Sequence, residues 1–253
     1  MIADFHSHIL PEFDDGAENA VMSLKMIEES KKMGVTNVVS TSHCYPISNS
    51  DIIDFIEERA KAFERLMNAA NESGTELPEI HLGCEVHLTC DLMKFKNIKS
   101  LCIEGTDYML LEMPSSPWSD NTIDNVYKLT ISGIHPIIAH AERNLSQKEE
   151  LLSSLYDLDV LIQINAMSFG IPQLKKFIDK MFASGLLHVV GTDMHNITSR
   201  APNIEKARKY ICKRYGSECW EYLMNNSSVI LKGDTLSYRD LRNFRKKSVF
   251  GRK

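Results

Sequence analysis

Seven short apolar stretches, each followed by an amphipathic stretch, constrain most strongly how this 253-residue chain can fold. The apolar stretches are rich in β-branched residues, and several amphipathic stretches stop just before a glycine, where helices commonly end. Strands that alternate with helices at this spacing form a parallel sheet, because each crossover helix returns the chain to the same edge. The predicted strands cover residues 2–6, 37–42, 80–87, 108–113, 136–140, 161–165 and 188–192.

This alternation predicts an α/β fold, a distorted (β/α)7 barrel similar to a TIM barrel, with a site at the C-terminal ends of its strands. No linker rich in Pro, Gly or Ser interrupts the pattern, so residues 1–236 are expected to form one domain. Residues 237–253 are predicted to be a basic C-terminal tail, whose last twelve residues carry six basic groups and no acid. A solvated tail, and an electrostatic contact with an acidic partner or with the inner membrane surface, both remain open.

Composition excludes several classes of function. The net charge of −5 and the isoelectric point near 6.0 give no reason to expect nucleic-acid binding. The sequence has no apolar run of 18 residues and no signal-peptide pattern, so we expect a cytoplasmic protein that does not insert into membranes. Its six cysteines form no C-x-x-C pair, which disfavours a disulfide framework or a cysteine zinc site.

Side chains of the types that bind metals follow nearly every predicted strand. The strand ends contain DFHSH, STSHCYP, GCEVHL, LLEMP, PIIAHAER and GTDMHN, whereas the sixth, LIQINAMS, has neither a histidine nor a carboxylate. Because the C-terminal ends of barrel strands share one rim, we expect these groups to lie close together. The candidate ligands are His6, His8, Asp15, His43, Glu85, Glu112, His140, Asp193 and His195.

Such a concentration of carboxylates predicts bound cations. Carboxylates gathered on one partly buried rim repel each other and are unfavourable unless positive charge neutralises them. More than one divalent metal ion is the economical explanation, and imidazole with carboxylate suits manganese, iron or zinc better than copper(I). A single pair such as His6 and His8, on alternate strand positions, would more often be ordinary surface residues. The complete set makes the metal-binding interpretation strong.

These segments also resemble a known family. DFHSHILPEFDDGA, STSHCYP, GCEVHLT, LLEMP, PIIAHAERN and GTDMHN…SRAP are similar to motifs of the PHP (polymerase and histidinol phosphatase) superfamily. More closely, they resemble the manganese-dependent tyrosine phosphatases of bacterial capsule and exopolysaccharide operons. The matching segments lie between positions 4 and 202 and follow each other in the family's order. The resemblance implies a metal-dependent phosphoric monoester hydrolase.

The resemblance also implies roles for individual residues. Three divalent ions are expected, most simply manganese, with iron or zinc as alternatives. The implied catalytic residues are Asp193, Arg143 and Arg200, and the two arginines match residues that bind phosphate. The implied ligands are His6, His8, Glu85 and Asp193 for the first ion, Glu85, Glu112 and His140 for the second, and Asp15, His43 and His195 for the third.

The expected chemistry is direct in-line attack of metal-bound hydroxide on phosphorus, without a phosphoenzyme. Cysteine-based tyrosine phosphatases instead need an arginine six residues after the nucleophilic cysteine. None of the six cysteines has an arginine at that distance. A tyrosine phosphatase with this sequence would therefore use metals.

Three functions remain open at the level of sequence. The first is removal of phosphate from a tyrosine segment of a bacterial kinase that regulates capsule or exopolysaccharide synthesis. The second is a small-molecule phosphatase, for example on histidinol phosphate, and the third is a metal-stabilised binding protein without turnover. The sequence assigns no role to His87 or Trp118 and does not give the oligomeric state.

Overall fold

Parallel β-strands form the centre of the computed structural model, which describes residues 1–236. The predicted α/β fold with a parallel sheet is confirmed, since every strand pairing in the described part of the chain is parallel. The strands are β1 (Ala3–Ser7), β2 (Asn37–Ser40), β3 (His43–Cys44), β4 (Glu79–Leu82), β5 (Glu85–His87), β6 (Tyr108–Glu112), β7 (His135–Ile138), β8 (Leu161–Asn165) and β9 (Val189–Gly191).

Helices connect these strands and pack against them. Short 3-10 turns, such as Ala141–Asn144 and Ala166–Gly170, directly follow two of the strands and shape the loops at their C-terminal ends. Within residues 1–236, two helices follow β9. The helices are α1 (Ala20–Lys32), α2 (Asn49–Ser73), α3 (Asp120–Ile131), α4 (Glu149–Asp157), α5 (Lys175–Ser184), α6 (Ile204–Tyr215) and α7 (Ser217–Leu231).

Two predicted strands are wrong in extent. Residues 37–42 and 80–87 were each expected to form one strand, but each divides into two segments, β2 with β3 and β4 with β5. Between the segments, the amide of Glu85 donates to the carbonyls of both Thr41 and Ser42, each at 3.1 Å. The register is the same on both sides of the interruption, with Ser40 opposite Leu82 before it and His43 opposite Glu85 after it. The sheet accordingly pairs as β1-β2-β4 and as β3-β5-β6-β7-β8-β9.

The first and last strands are neighbours, so the sheet curls. The amide of Asp193 donates to the carbonyl of His6 at 2.7 Å, and that of His8 donates to the carbonyl of Met194 at 2.9 Å. Buried Asp4 reinforces this edge by accepting hydrogen bonds from the Thr192 amide at 2.7 Å and hydroxyl at 2.5 Å. Burial raises the pKa of Asp4 to about 6, although these hydrogen bonds favour its charged form.

Alternate strand residues face the inside of the curl, where a small apolar cluster lies beneath the rim. On β6, Tyr108 and Leu110 belong to this cluster and share a face with Glu112 at the strand end. On β8, Leu161 belongs to it and shares a face with Gln163 and Asn165. The period of two therefore places apolar residues below and polar residues above them at the rim.

Helix ends follow local sequence signals closely. Helix α2 begins after Ser48, which forms a capping box with Asp51, and it ends at Gly74 in the left-handed conformation with φ of 68°. Among residues 1–236, no helix combines the length and apolarity needed to cross a membrane. The predicted basic tail, residues 237–253, lies outside the described residues.

Candidate metal centre

The nine predicted ligands converge on one rim of the curled sheet. Six of them are buried, His43 and Glu112 are half-buried, and Asp15 is exposed. They come from the ends of the strands or from the loops that directly follow them, so the fold itself brings together positions up to 189 residues apart, such as His6 and His195. Together, the nine side chains form one compact cluster of imidazole nitrogens and carboxylate oxygens.

Glu85 lies at the centre of this cluster. Its Oε1 is 2.6 Å from Nε2 of His140, and its Oε2 is 3.1 Å from both Nε2 of His6 and Nδ1 of His43. Nε2 of His8 lies 3.5 Å from the same Oε2. Burial alone would raise the pKa of Glu85, but the imidazole of His6 and hydrogen bonds from three histidines hold it well below its ordinary value. The side chain is therefore an ionised carboxylate surrounded by imidazoles.

The ligand atoms form three overlapping groups, each within 4.8 Å. These groups overlap with the three sets implied by the family resemblance but do not match them. Glu85 is absent from the group with His6 and Asp193, and His140 is absent from the group with Glu112. His8 also joins the third group, and His43 also joins the second, because its two ring nitrogens face Glu85 at 3.1 Å and Asp15 at 3.4 Å. The groups are His6, His8 and Asp193; His43, Glu85 and Glu112; and His8, Asp15, His43 and His195.

The spacing and chemistry of these atoms fit metal ligands. Atoms about 2.1 Å from one ion lie about 3.0 Å apart in an octahedral site and about 3.4 Å apart in a tetrahedral one. Nε2 of His6 and Nε2 of His8 are 3.1 Å apart, and they lie 3.5 Å and 3.6 Å from Oδ1 of Asp193. In addition, Nε2 of His195 is buried without a hydrogen bond among the described residues. An unpaired nitrogen aimed into a cluster of carboxylates suits a shared cation.

Asp14 orients one ligand from behind, a residue that the sequence analysis missed in favour of Asp15. Its Oδ2 accepts from Nδ1 of His8 at 2.7 Å and from the amide of His43 at 3.1 Å. This contact fixes the His8 tautomer and leaves Nε2 free to bind a cation. The two adjacent acids in FDDG were the available signal. Asp15 faces the cluster, and Asp14 supports one of its ligands.

Strand β8 contributes a second supporting network, although its end carries no histidine or carboxylate. Oε1 of Gln163 lies 3.3 Å from Nδ1 of His6 and accepts from the amide of His140 at 2.6 Å. Nε2 of Gln163 donates to Oδ1 of Asn165, whose own amide nitrogen donates to Oδ2 of Asp193 at 2.9 Å. One strand therefore connects three of the predicted ligands. Amides of this kind occur everywhere on proteins, so the sequence held no specific signal for them.

The two predicted arginines meet at Asp193. Nη2 of Arg143 donates to its Oδ2 at 2.5 Å, and Nη2 of Arg200 donates to its Oδ1 at 2.6 Å. Burial would raise the pKa of Asp193, but the imidazole of His6 and the guanidinium of Arg143 lower it below its ordinary range. Asp193 and His140 both adopt positive φ, 55° and 31°, a conformation that non-glycine residues hold only where the surroundings fix it.

The residues without an assigned role now have positions. Nδ1 of His87 pairs with Oε2 of Glu112 at 2.9 Å, so His87 lies at the edge of the cluster. Trp118 is buried, and its indole donates to the carbonyl of Pro114 at 2.8 Å, which makes it a packing residue of its loop. All six cysteines are free thiols, and burial raises the pKa of Cys84 and of Cys102. Neither of these two thiols has the lowered pKa of a nucleophile.

Known proteins resemble this chain along most of its length. Residues 2–232 match a family model described as capsular polysaccharide synthesis, CpsB/CapC. The tyrosine-protein phosphatase CpsB of Streptococcus agalactiae serotype III (strain NEM316) is 32% identical over 246 residues, which cover 90% of this chain and 98% of that protein.

Two solved structures share the fold. One comes from a pair described as crystal structures of YwqE from Bacillus subtilis and CpsB from Streptococcus pneumoniae, which are called unique metal-dependent tyrosine phosphatases. It matches with a TM-score of 0.80 at 24% identity and covers 93% of this chain and 96% of its own. A TatD family hydrolase from Entamoeba histolytica matches with a TM-score of 0.57 at 11% identity. The match covers 92% of this chain and 98% of the hydrolase. The fold of this chain therefore has TIM-barrel-like neighbours.

The supporting role of Asp14 is testable through metal affinity. Asp14→Ala removes the acceptor of the His8 Nδ1–H group, so we expect divalent-metal affinity to fall about 10- to 100-fold. Competition with a chromogenic chelator measures this affinity directly. Asp179→Ala is the matched control, because it removes a carboxylate that pairs with Arg214 away from the cluster. Unchanged affinity in the Asp14 variant would show that His8 needs no support.

Proposed function

This chain belongs to the CpsB/CapC family of capsular polysaccharide synthesis proteins, and from this membership we propose that it is a metal-dependent protein tyrosine phosphatase. The observation that carries the proposal is the convergence of nine imidazole and carboxylate side chains beside two partly exposed arginines. A centre of this kind suits a phosphate dianion, which needs positive charge both to bind and to react.

We propose that the cluster holds three divalent ions, with manganese as the expected metal. Supporting this, the ligand atoms fall into three overlapping groups whose donors are nitrogen and oxygen only. We also propose that residues 1–236 form a single domain, a distorted (β/α)7 barrel. One large apolar cluster supports the single domain, because it runs from Ile9 at the first loop to Met224 in the last helix.

The protein's own residues balance the charge of the site and fix the orientation of its candidate ligands. Bound divalent ions supply activation of water and neutralisation of the phosphoryl charge. Glu85 belongs to one group and lies within 3.5 Å of a histidine nitrogen of each of the other two, and its buried carboxylate offsets the positive charge that they collect. Asp14 and Gln163 keep the rings of His8 and His6 in fixed tautomers, so that their Nε2 atoms face the cluster. None of these steps uses a cysteine, in agreement with the raised pKa of Cys84 and of Cys102.

Arg143 and Arg200 combine two tasks in this proposal. Each holds Asp193 with one donor, and a guanidinium has five N–H donors. Both side chains are partly exposed, 49% for Arg143 and 37% for Arg200, so further donors face the open rim. A phosphate oxygen at the rim would accept these donors in the planar geometry that a guanidinium offers.

The proposed substrate is a phosphotyrosine segment of a bacterial tyrosine kinase that regulates capsule or exopolysaccharide synthesis, dephosphorylated in the cytoplasm. A protein substrate is supported by the rim, where four strand-end loops expose a large apolar side chain. Exposed apolar groups around a polar centre favour contact with another polypeptide over a small, strongly polar phosphate. The exposed side chains are Ile47, Leu145, Met167 and Ile197.

Comparing two substrates separates this proposal from its alternative, a histidinol-phosphate phosphatase. With manganese present, we expect a phosphotyrosine peptide to be hydrolysed with a kcat/KM at least tenfold above that of histidinol phosphate. Phosphate release measured on both substrates gives the ratio. A ratio in favour of histidinol phosphate would establish the small-molecule function instead, and no turnover on either would indicate a binding protein.

The arginines provide a second test. We expect Arg143→Ala or Arg200→Ala to lower kcat/KM about ten- to a hundredfold, since one hydrogen bond to a charged partner contributes about 1.5–3 kcal/mol. Lysine at either position keeps the charge but loses the planar fork, so it should recover only part of the activity. Phosphate-release kinetics measure the effect, with Arg208→Ala on the exposed face of α6 as the control. Full activity in both alanine variants would mean that the arginines do not bind the phosphate.

A further inference from the structure

An aromatic side chain lies at the edge of the metal centre and is not explained by packing. Tyr45 follows β3 and is 55% exposed. Its ring stacks on that of His43 with centroids 5.7 Å apart and planes at 29°, and its other neighbour is the ring of His87 at 5.5 Å. The three rings form a row, which we call the aromatic row. The exposed ring of Tyr45 lies in its middle, between the candidate metal ligand His43 and His87.

The exposure of Tyr45 is unusual within this chain. In residues 1–236, the large aromatic side chains with high exposure are Tyr45 and Tyr127, and Tyr127 lies on helix α3. Other aromatics on the rim loops are buried, including Trp118 and Phe169. A large apolar ring held in water next to a reactive centre is the arrangement that a binding site for another apolar group requires.

The position of the aromatic row relates it to the leaving group of the reaction. If a phosphate binds among His43, Glu85 and Glu112, its ester group must point toward solvent, because the candidate metal ligands on its other side are buried. Glu112 pairs with His87 at 2.9 Å, so the outward path from these ligands runs beside the aromatic row. Aromatic rings prefer offset-stacked or edge-to-face contacts with each other, which gives an aryl group an advantage over an alkyl group there.

We propose that the ring of Tyr45, with His87 at its side, is the subsite that binds the aromatic ring of the phosphoester substrate. This inference rests on the proposed function and makes it more specific. It assigns the preference for aryl phosphates to one side chain that touches the leaving group and leaves phosphate binding to the metal ligands and arginines.

Two inhibitors separate ring binding from phosphate binding. Phenylphosphonate carries an aryl group that cannot be hydrolysed off, and inorganic phosphate carries none. We expect Tyr45→Ala to raise the inhibition constant of phenylphosphonate about 2- to 12-fold, the range for one aromatic pair, and to leave that of phosphate unchanged. Tyr45→Phe should behave as wild type, because the ring and not the hydroxyl makes the contact. Tyr127→Ala is the matched control, an exposed tyrosine removed from α3.

Each other outcome would overturn the inference. If Tyr45→Ala weakens both inhibitors equally, or lowers metal content, the ring supports His43 and not the substrate. If neither inhibition constant changes, or if Tyr45→Phe is as impaired as Tyr45→Ala, the ring makes no substrate contact. Tyr45→Leu keeps an apolar cover on His43 and carries the same expectation if the alanine variant is unstable. Failure of the wild type to hydrolyse phosphotyrosine would refute the proposed function alone, since inhibitor binding is measured on any substrate that turns over.

Discussion

The buried carboxylate of Glu85, in contact with imidazole nitrogens from three strand ends and one loop, is the constraint on which the rest of the site depends. An ionised carboxylate away from water is strongly unfavourable without positive partners, and His6, His8, His43 and His140 supply the nearest atoms. Because β5 begins at Glu85, the break between β4 and β5 decides where this charge lies. The interruption between β4 and β5 is therefore part of the site and not an irregularity of the sheet.

Around this centre, the chain holds each ligand from behind with a second polar contact. Asp14 holds His8, Gln163 contacts His6, and Asp193 is held by Asn165 and by two arginines. Such contacts fix ring orientation before a cation arrives, so less ordering remains for binding itself. In the proposed function, the arginines that stabilise Asp193 also bind the substrate, because they keep donors at the open rim.

Sequence alone predicted that the nine candidate ligands lie together, because parallel strands bring all their C-terminal ends to one rim and proximity follows from topology without distances. The supporting residues were not predictable in the same way. The supporting roles of Gln163 and Asn165 depend on partners about 20 to 160 positions away in the sequence. Amide residues have no characteristic sequence spacing that would indicate such a role. The division of two strands was also missed, because the interruption keeps the register and leaves the apolar pattern nearly unchanged. The exposure of Tyr45 depends on loop geometry that periodicity does not describe.

Metal content, located by anomalous diffraction on crystals of the purified protein, tests the central claim most directly. We expect three divalent ions per chain, with anomalous peaks inside the groups formed by His6, His8 and Asp193, by Glu85 with Glu112, and by Asp15 with His195. Removing these ions with a chelator should abolish phosphatase activity, and adding manganese back should restore it. A sample without bound ions whose activity is unaffected by chelator would contradict the account, since nothing would then balance the buried carboxylates in the reaction.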